Sequence, residues 1–517
     1  MAQSLLADFL RGDPERKPEE FKPPDSVFAP SSGIKTTPAL AWRPGRLFLG
    51  VIDGEIKTDA DGRHVVGGHA VGLDDDRHIC TFAGSRSGKG RAAIVPNMLH
   101  YPGSVLATDP KGELATMTAR RRKEGLKQDV HVLDPFAVAG GRAVDFRAGF
   151  NPIEAMRLDH NLVADAALIA DALVVVAGKD PHWDDSAKAF IEGVILHLKT
   201  WPDYQGKRSL LTLRELVGQG AADGKGGYSL DALAAEMRSN KEAGGVIETA
   251  AADFFDRPQN ERGSVLSTAR RHLKFIDLFR NNPVGRKTLE THSFELAALK
   301  TRPTTIYLCL PARHIGTCNR WLRLFVNLTL QSMEQTPACA GAGSKSGLPG
   351  GVPVLVVLDE FASLGHLQQV EDAAGQIAGF GVKLWPVLQD LSQLKALYET
   401  RWETFLGNAG ILQFFGNNDL STLEWISKRC GRTSITVTNT SDVTVSGRMS
   451  GAKGTSKGTE VHDLLTIDEA ARYFGRDDPK LRQLVIWAGQ EKPFLVLQRA
   501  YYDKHALFAG LYDAPAP

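Results

Sequence analysis

The sequence has almost no net charge. Its 61 Lys and Arg against 60 Asp and Glu leave +1 over 517 residues. A globally polybasic nucleic-acid binder is therefore excluded, and any such contact must come from a local patch or from repetition of one patch in an oligomer. Cysteine is scarce. Cys80, Cys309, Cys318, Cys339 and Cys430 are odd in number and far apart, with no Cys-x-x-Cys. That spacing rules out a zinc ribbon or a disulfide framework and reads as reduced thiols in a cytoplasmic protein. Long apolar runs are missing as well. The nearest, Ala166 to Ala177, carries Asp171 and falls short of the ~18 apolar residues of a membrane span. Met1 to Arg11 is short and amphipathic, without the charged start and apolar core of a secretory signal. No His-Glu-x-x-His occurs.

What is present is an ordinary globular composition, 43% apolar. The length suggests about three domains at roughly 100–200 residues each. Residues 1–45 are polar and rich in proline (Pro14, Pro18, Pro23, Pro24, Pro30, Pro38, Pro44), which reads as an extended arm with little core. Residues 46–78 read as one or two hairpins. Short apolar runs then alternate with helical patterns, which predicts an α/β fold around a parallel sheet with ligands at the carboxyl ends of its strands. From about 151 to 300 the spacing turns helical, as in Asn161–Val176, Asp185–Thr200, Leu210–Val217, Ser229–Ser239 and Ser264–Leu278. This segment reads as an all-α insertion. The α/β pattern resumes at Thr304–Pro311 and continues through Val352–Glu360, Val382–Gln389 and Gly410–Gly416. Residues 336–351 read as a flexible loop, 436–460 as a hairpin or loop, and 480–515 as strand-like again.

The chemistry centres on residues 79–90. The apolar run Ile79–Ala83 breaks into Gly84, Ser85, Arg86, Ser87, Gly88, Lys89 and Gly90, and an apolar helical stretch follows. Strand, glycine-rich turn and helix make a phosphate cradle. Backbone N–H groups converge on the anion, the helix start adds about half a positive charge, and Lys89 reaches the terminal phosphates. The match to G-x-x-x-x-G-K-[ST] is imperfect, with Ala83 at the first glycine position and Gly90 where a Mg²⁺-binding hydroxyl belongs. The partner of such a cradle is an apolar strand ending in acid. Leu355–Leu358 followed by Asp359 and Glu360 fits, Asp359 holding Mg²⁺ and Glu360 polarising the attacking water. Gln389, ending the next strand, is placed to report nucleotide state. Asp109 either assists Mg²⁺ or caps the helix that starts near Glu113. The basic run Arg120–Lys123 and the pair Arg270–Arg271 read as solvated helix faces, or as channel-lining residues in a ring, where binding would be salt-dependent. In His182-Trp183-Asp184-Asp185 the expectation is a helix start capped by Asp184 or Asp185 rather than a metal corner.

These pieces occur in a particular order: Gly84–Gly90, Pro96-Asn97, Asp109-Pro-Lys-Gly-Glu-Leu114, Phe150-Asn-Pro152, His182-Trp-Asp-Asp-Ser-Ala187, Ile306-Tyr-Leu308 with Pro311, Leu358-Asp-Glu-Phe-Ala-Ser-Leu-Gly365, Gln389-Asp-Leu-Ser-Gln-Leu394, Phe415-Gly-Asn-Asn-Asp419 and Trp487-Ala-Gly-Gln-Glu-Lys-Pro493. Together they resemble the type IV secretion coupling proteins, ATPases that feed DNA and protein substrates to conjugation-type channels. The resemblance implies a RecA-like P-loop nucleotide-binding domain (46–150 and 301–517) with an inserted all-α domain (151–300), assembling as a homo-hexamer with ATP and Mg²⁺ between subunits. Lys89, Asp359, Glu360 and Gln389 match the family's nucleotide residues, and Arg401 matches a trans contact to the neighbour's nucleotide. No Arg lies between Glu360 and Gln389, where some relatives place one. Family members usually begin with membrane helices, whereas this sequence opens on the polar arm. The resemblance therefore implies a cytoplasmic ATPase that engages DNA, or a relaxase–DNA complex, and docks on a secretion channel or a separate membrane-anchored partner. A nucleotide-gated adaptor with little hydrolysis and a DNA pump of another pathway are the alternatives.

Overall fold

The computed structural model describes residues 25–175, 181–337, 348–442 and 453–515. Residues 1–24 of the arm and most of the expected loop at 336–351 lie outside these. An 11-stranded sheet forms the frame. From one edge its strands are His69–Leu73, Leu47–Ile52, Phe494–Gln498, Arg482–Trp487, Ala409–Phe415, His78–Ala83, Val382–Leu388, Val354–Leu358, Val105–Asp109, Thr304–Cys309 and Asp129–Leu133. From Ala409–Phe415 to Asp129–Leu133 neighbours run parallel. On the other side of Ala409–Phe415 they run antiparallel. The P-loop strand therefore lies inside the sheet, and its carboxyl end shares an edge with that of the acid strand.

Both faces are covered, which is why the central strands read as unbroken apolar runs. In Val354–Leu358, side chains 354, 356 and 358 enter one core and 355 and 357 the other, the period of two that a pleated strand imposes. The second core receives the P-loop helix through Ala92, Ala93, Met98 and Leu99. The first core is continuous with the helical segment between Asp129–Leu133 and Thr304–Cys309. Its main helices are Leu162–Leu173, His182–Thr200, Leu210–Gln219, Leu230–Ser239, Val246–Phe255, Gln259–Leu273 and Pro283–Glu290. Among the described residues of this segment the only strands are the two-residue pieces Ala221–Ala222 and Tyr228–Ser229. No helix of the described residues is long and apolar enough to cross a membrane.

Several expectations change. Residues 25–45 are not coreless: they hold a helix, Ser31–Thr36, and bury Ile34 and Leu40 against the sheet. Arg432–Asp442 pairs antiparallel with Lys453–Asp463, which keeps the hairpin alternative expected for this region. The helix at His182 begins as expected but is not capped by Asp184 or Asp185; Pro181 precedes it. Asp184 is buried instead, 2.8 Å from both Arg271 and His272 of a neighbouring helix.

The basic run is not one solvated face: Lys123 is exposed and pairs with Asp129, but its three neighbours are buried or half-buried. Arg122 is fully buried, donating to the Met98, Tyr101 and Gly103 carbonyls and to the Thr305 hydroxyl. Arg120 pairs with Asp513 and Arg121 reaches the Leu99 carbonyl. Arg270 donates to the Val217 and Gly218 carbonyls at the end of Leu210–Gln219, where a helix exposes unsatisfied acceptors.

Candidate active site

The strand His78–Ala83 is buried along its whole length and ends where the chain must turn sharply. Gly84 donates its N–H to the Phe415 carbonyl at 3.1 Å. A Cβ at Gly84 would sit 1.9 Å from the Gly416 carbonyl oxygen, so the neighbouring strand end leaves room only for glycine. The turn closes through Ser87 N–H to the Gly84 carbonyl, and Gly88 takes φ +90°. The helix opens with a wide π-type turn, Gly90–Ile94, and continues as Val95–His100. A Cβ at Gly90 would meet nothing within 4 Å, so packing does not exclude a hydroxyl side chain there.

Across the cradle the acid strand delivers both carboxylates. Lys89 Nζ lies 2.9 Å from Asp359 Oδ1 and 2.5 Å from Glu360 Oε1. Gln389 Nε2 donates to Glu360 Oε2 at 3.3 Å. Thr108 Oγ1, on the adjacent strand, donates to the Asp359 carbonyl, and Asn417 Nδ2 to the Gln389 carbonyl. Glu360 adopts φ 52°, a left-handed conformation costly for a side-chain-bearing residue, and such strain tends to sit at functional sites. Burial works against the Lys89 charge, but Asp359 and Glu360 outweigh it and hold its pKa above the ordinary lysine value. Burial and repulsion from Glu360 raise the Asp359 carboxyl, although Lys89 opposes them.

The groups line one cavity of about 470 Å³, shared by Ser85, Lys89, Asp109, Asp359, Glu360 and Gln389. The residues fit a nucleotide phosphate chain with a divalent cation. Hard carboxylate oxygens of Asp359 and Glu360 face the Lys89 ammonium across the cradle, the donor set that a phosphate chain and its divalent cation take up. No group of three or more His, Cys, Asp or Glu that could hold a metal ion occurs among the described residues.

Asp109 is fully buried, accepts from the Ala115 N–H at 2.8 Å and so holds the first turn of the helix Glu113–Arg120, while Gly112 occupies the cap position. Burial pushes its carboxyl up to about 6, against the backbone N–H bonds and with help from Asp359. A raised carboxyl contributes stability that is fully present below its unfolded pKa and is lost as pH rises through the folded value. Asp109→Asn keeps the acceptor and removes this loss. Urea unfolding of both proteins should show the variant gaining on the parent between about pH 4 and 6.5, by up to roughly 3 kcal/mol, with the difference level above that. A constant difference across that range would contradict the assignment.

A family model described as type IV secretory system conjugative DNA transfer matches residues 49–513. The chain belongs to that family. Among curated type IV coupling relatives, a conjugal transfer protein TraG of Escherichia coli is 29% identical over 470 residues, covering 85% of this chain and 69% of TraG. VirD4 of Agrobacterium fabrum (strain C58 / ATCC 33970) is 27% identical over 371 residues, and the match spans 68% of this chain but only 49% of VirD4. Two structures of the conjugative coupling protein TrwB share the fold. The trigonal sulphate form has a TM-score of 0.59 at 16% identity, covering 89% of this chain and 96% of TrwB. The complex with an ATP analogue, ADPNP, has 0.58 at 16%, covering 90% and 96%. The α/β, RecA-like class expected from the sequence is thus the fold of this type IV coupling-family chain.

Of the residues singled out from sequence, the structure brings Gly84–Gly90, Asp359, Glu360 and Gln389 together. Arg401 is not at this cavity; its Nε pairs with Glu371 at 2.5 Å. Sequence reasoning missed the C-terminal stretch 499–503, which grips the P-loop helix. Arg91 forms a two-point pair with Asp503 at 2.6 and 2.5 Å and lies 4.4 Å over the Tyr501 ring. No local pattern marks this stretch, because its partners lie about four hundred residues away.

Proposed function

We propose that this protein is a coupling-type ATPase that uses ATP and Mg²⁺ to engage or translocate DNA, as a relaxase–DNA complex or other secreted cargo, toward a type IV secretion channel. The observation that carries the reading is the convergence of Lys89, Asp359, Glu360 and Gln389 at the carboxyl edge of neighbouring parallel strands. In this reading the cradle and Lys89 bind phosphates, Asp359 holds Mg²⁺, Glu360 takes the proton of the attacking water, and Gln389 orients it. ATP and Mg²⁺ are supported by the TrwB complexes with ADPNP and with ADP and Mg²⁺. Residues 46–150 and 301–517 form the nucleotide domain, residues 151–300 face the cargo, and six copies close a ring. Arg401, exposed and away from its own cavity, would serve the neighbour's nucleotide after leaving Glu371.

The test is steady-state ATP hydrolysis with single- and double-stranded DNA, beside Lys89→Ala. DNA-stimulated turnover in the parent and none above background in the variant is the expected result. Equal rates in the two proteins would sink the reading. The absence of a hydroxyl at Gly90 favours a second reading, a nucleotide-gated adaptor. It predicts ATP binding without turnover under any DNA condition.

A further inference from the structure

Arg499 follows the strand Phe494–Gln498 and its guanidinium is buried. Among the described residues each of its hydrogen bonds goes to a backbone carbonyl. Nη1 donates to Ser87 at 2.9 Å, Nε to Leu481 at 3.3 Å, and Nη2 to Arg476 and Gly475 at 3.4 and 3.5 Å. Its flat face lies 5.5 Å over the Phe415 ring. A buried cation bonded to neutral carbonyls is expensive to keep, and the contact with Ser87 suggests what it does.

The described backbone has no cis peptide. In a trans peptide the C=O and the following N–H point in opposite directions. Holding the Ser87 carbonyl toward Arg499 therefore turns the Gly88 N–H away from Arg499. Gly88 lines the cavity and sits at φ +90°, a conformation in which that peptide plane has freedom to rotate. The same C-terminal stretch packs against the turn and the helix start: a Cβ at Gly88 would be 3.3 Å from the Tyr501 ring, and Tyr502 N–H donates to the Arg91 carbonyl.

We infer that Arg499 is a positioning residue of the phosphate cradle: by pinning the Ser87 carbonyl it aims the Gly88 N–H at a nucleotide phosphate. The inference rests on the nucleotide-site reading and adds to it a residue from the far end of the chain. It predicts a defect specific to phosphate. Losing the orientation of one N–H donor to a charged oxygen corresponds to about tenfold in affinity.

The experiment is equilibrium binding of a fluorescent ADP analogue with Mg²⁺ to the full chain, displaced by ADP or by adenosine. Arg499→Lys, which keeps the charge but not the fork, should weaken ADP about tenfold, and Arg499→Gln more. Adenosine, lacking phosphate, should compete as it does in the parent. Amide exchange over residues 84–90 should quicken in Arg499→Lys. Lys504→Ala, which breaks only the pairs with Asp59 and Asp61 on a distant hairpin, should bind ADP within about twofold of the parent. Where the Gln variant does not fold, the Lys variant decides. ADP affinity within twofold of the parent in a folded Arg499 variant would overturn the inference, as would an equal loss for ADP and adenosine. A parent that binds no ADP, or a Lys89→Ala variant that binds it fully, would bring down the site reading itself and the Arg499 role with it.

Discussion

Glu360→Gln is expected to bind ATP and to hydrolyse it slower by about 10²–10⁴-fold, the usual worth of a positioned general base. The substitution preserves shape. Its amide oxygen still accepts from Lys89, which stands 2.5 Å from Oε1, and the backbone at φ 52° is unchanged. What disappears is the capacity to take a proton. Removing one negative charge beside the phosphates also lessens repulsion, so affinity for ATP should hold or tighten. Lys89→Ala makes the opposite pattern, because it strips the cradle of its cation and leaves Asp359 and Glu360 facing each other without a counter-charge. Single-turnover hydrolysis alongside nucleotide binding separates the two. An unchanged hydrolysis rate in Glu360→Gln would overturn the role given to the acid strand.

The second large effect lies outside the site. Arg122→Met should destabilise the fold by about 4 kcal/mol, because the Tyr101 and Gly103 carbonyls and the Thr305 hydroxyl lose a buried donor. Urea unfolding measures this directly. A channel-lining residue would behave differently. Its loss would leave stability nearly intact and reduce the salt dependence of DNA binding by about one phosphate contact. A stability within about 0.5 kcal/mol of the parent would revive the exposed reading of the basic run.

The contrast between Arg122 and the P-loop shows what kind of information a sequence carries. The cradle was legible because strand, glycine turn and helix are consecutive, and their local geometry alone aims the donors. The acid strand was legible because a parallel strand buried on both faces must be apolar throughout, so two carboxylates at its end stand out. The α/β alternation and the helical segment were legible through their periods. The family order of motifs added the pairing of the two halves of the site.

Arg122 and Arg499 were not legible. Arg122 sits in a basic run and Arg499 stands alone, but the burial of each depends on carbonyls brought from separate segments of the chain, and a one-dimensional pattern counts both as surface. Asp184 was misplaced for the same reason: a carboxylate at a helix start fits a cap until the tertiary packing supplies Arg271 and His272. Residues 25–45 looked coreless because their few apolar side chains, Ile34 and Leu40, find a core only when the sheet edge lies beneath them. By itself, then, the sequence determined the sheet class, the phosphate cradle and the acid pair, since each follows from short-range backbone geometry and strand burial. Only the tertiary structure decided which cations are structural, where Arg401 rests and that the chain's C-terminal stretch grips its nucleotide loop. Those outcomes depend on contacts between segments that no local period relates.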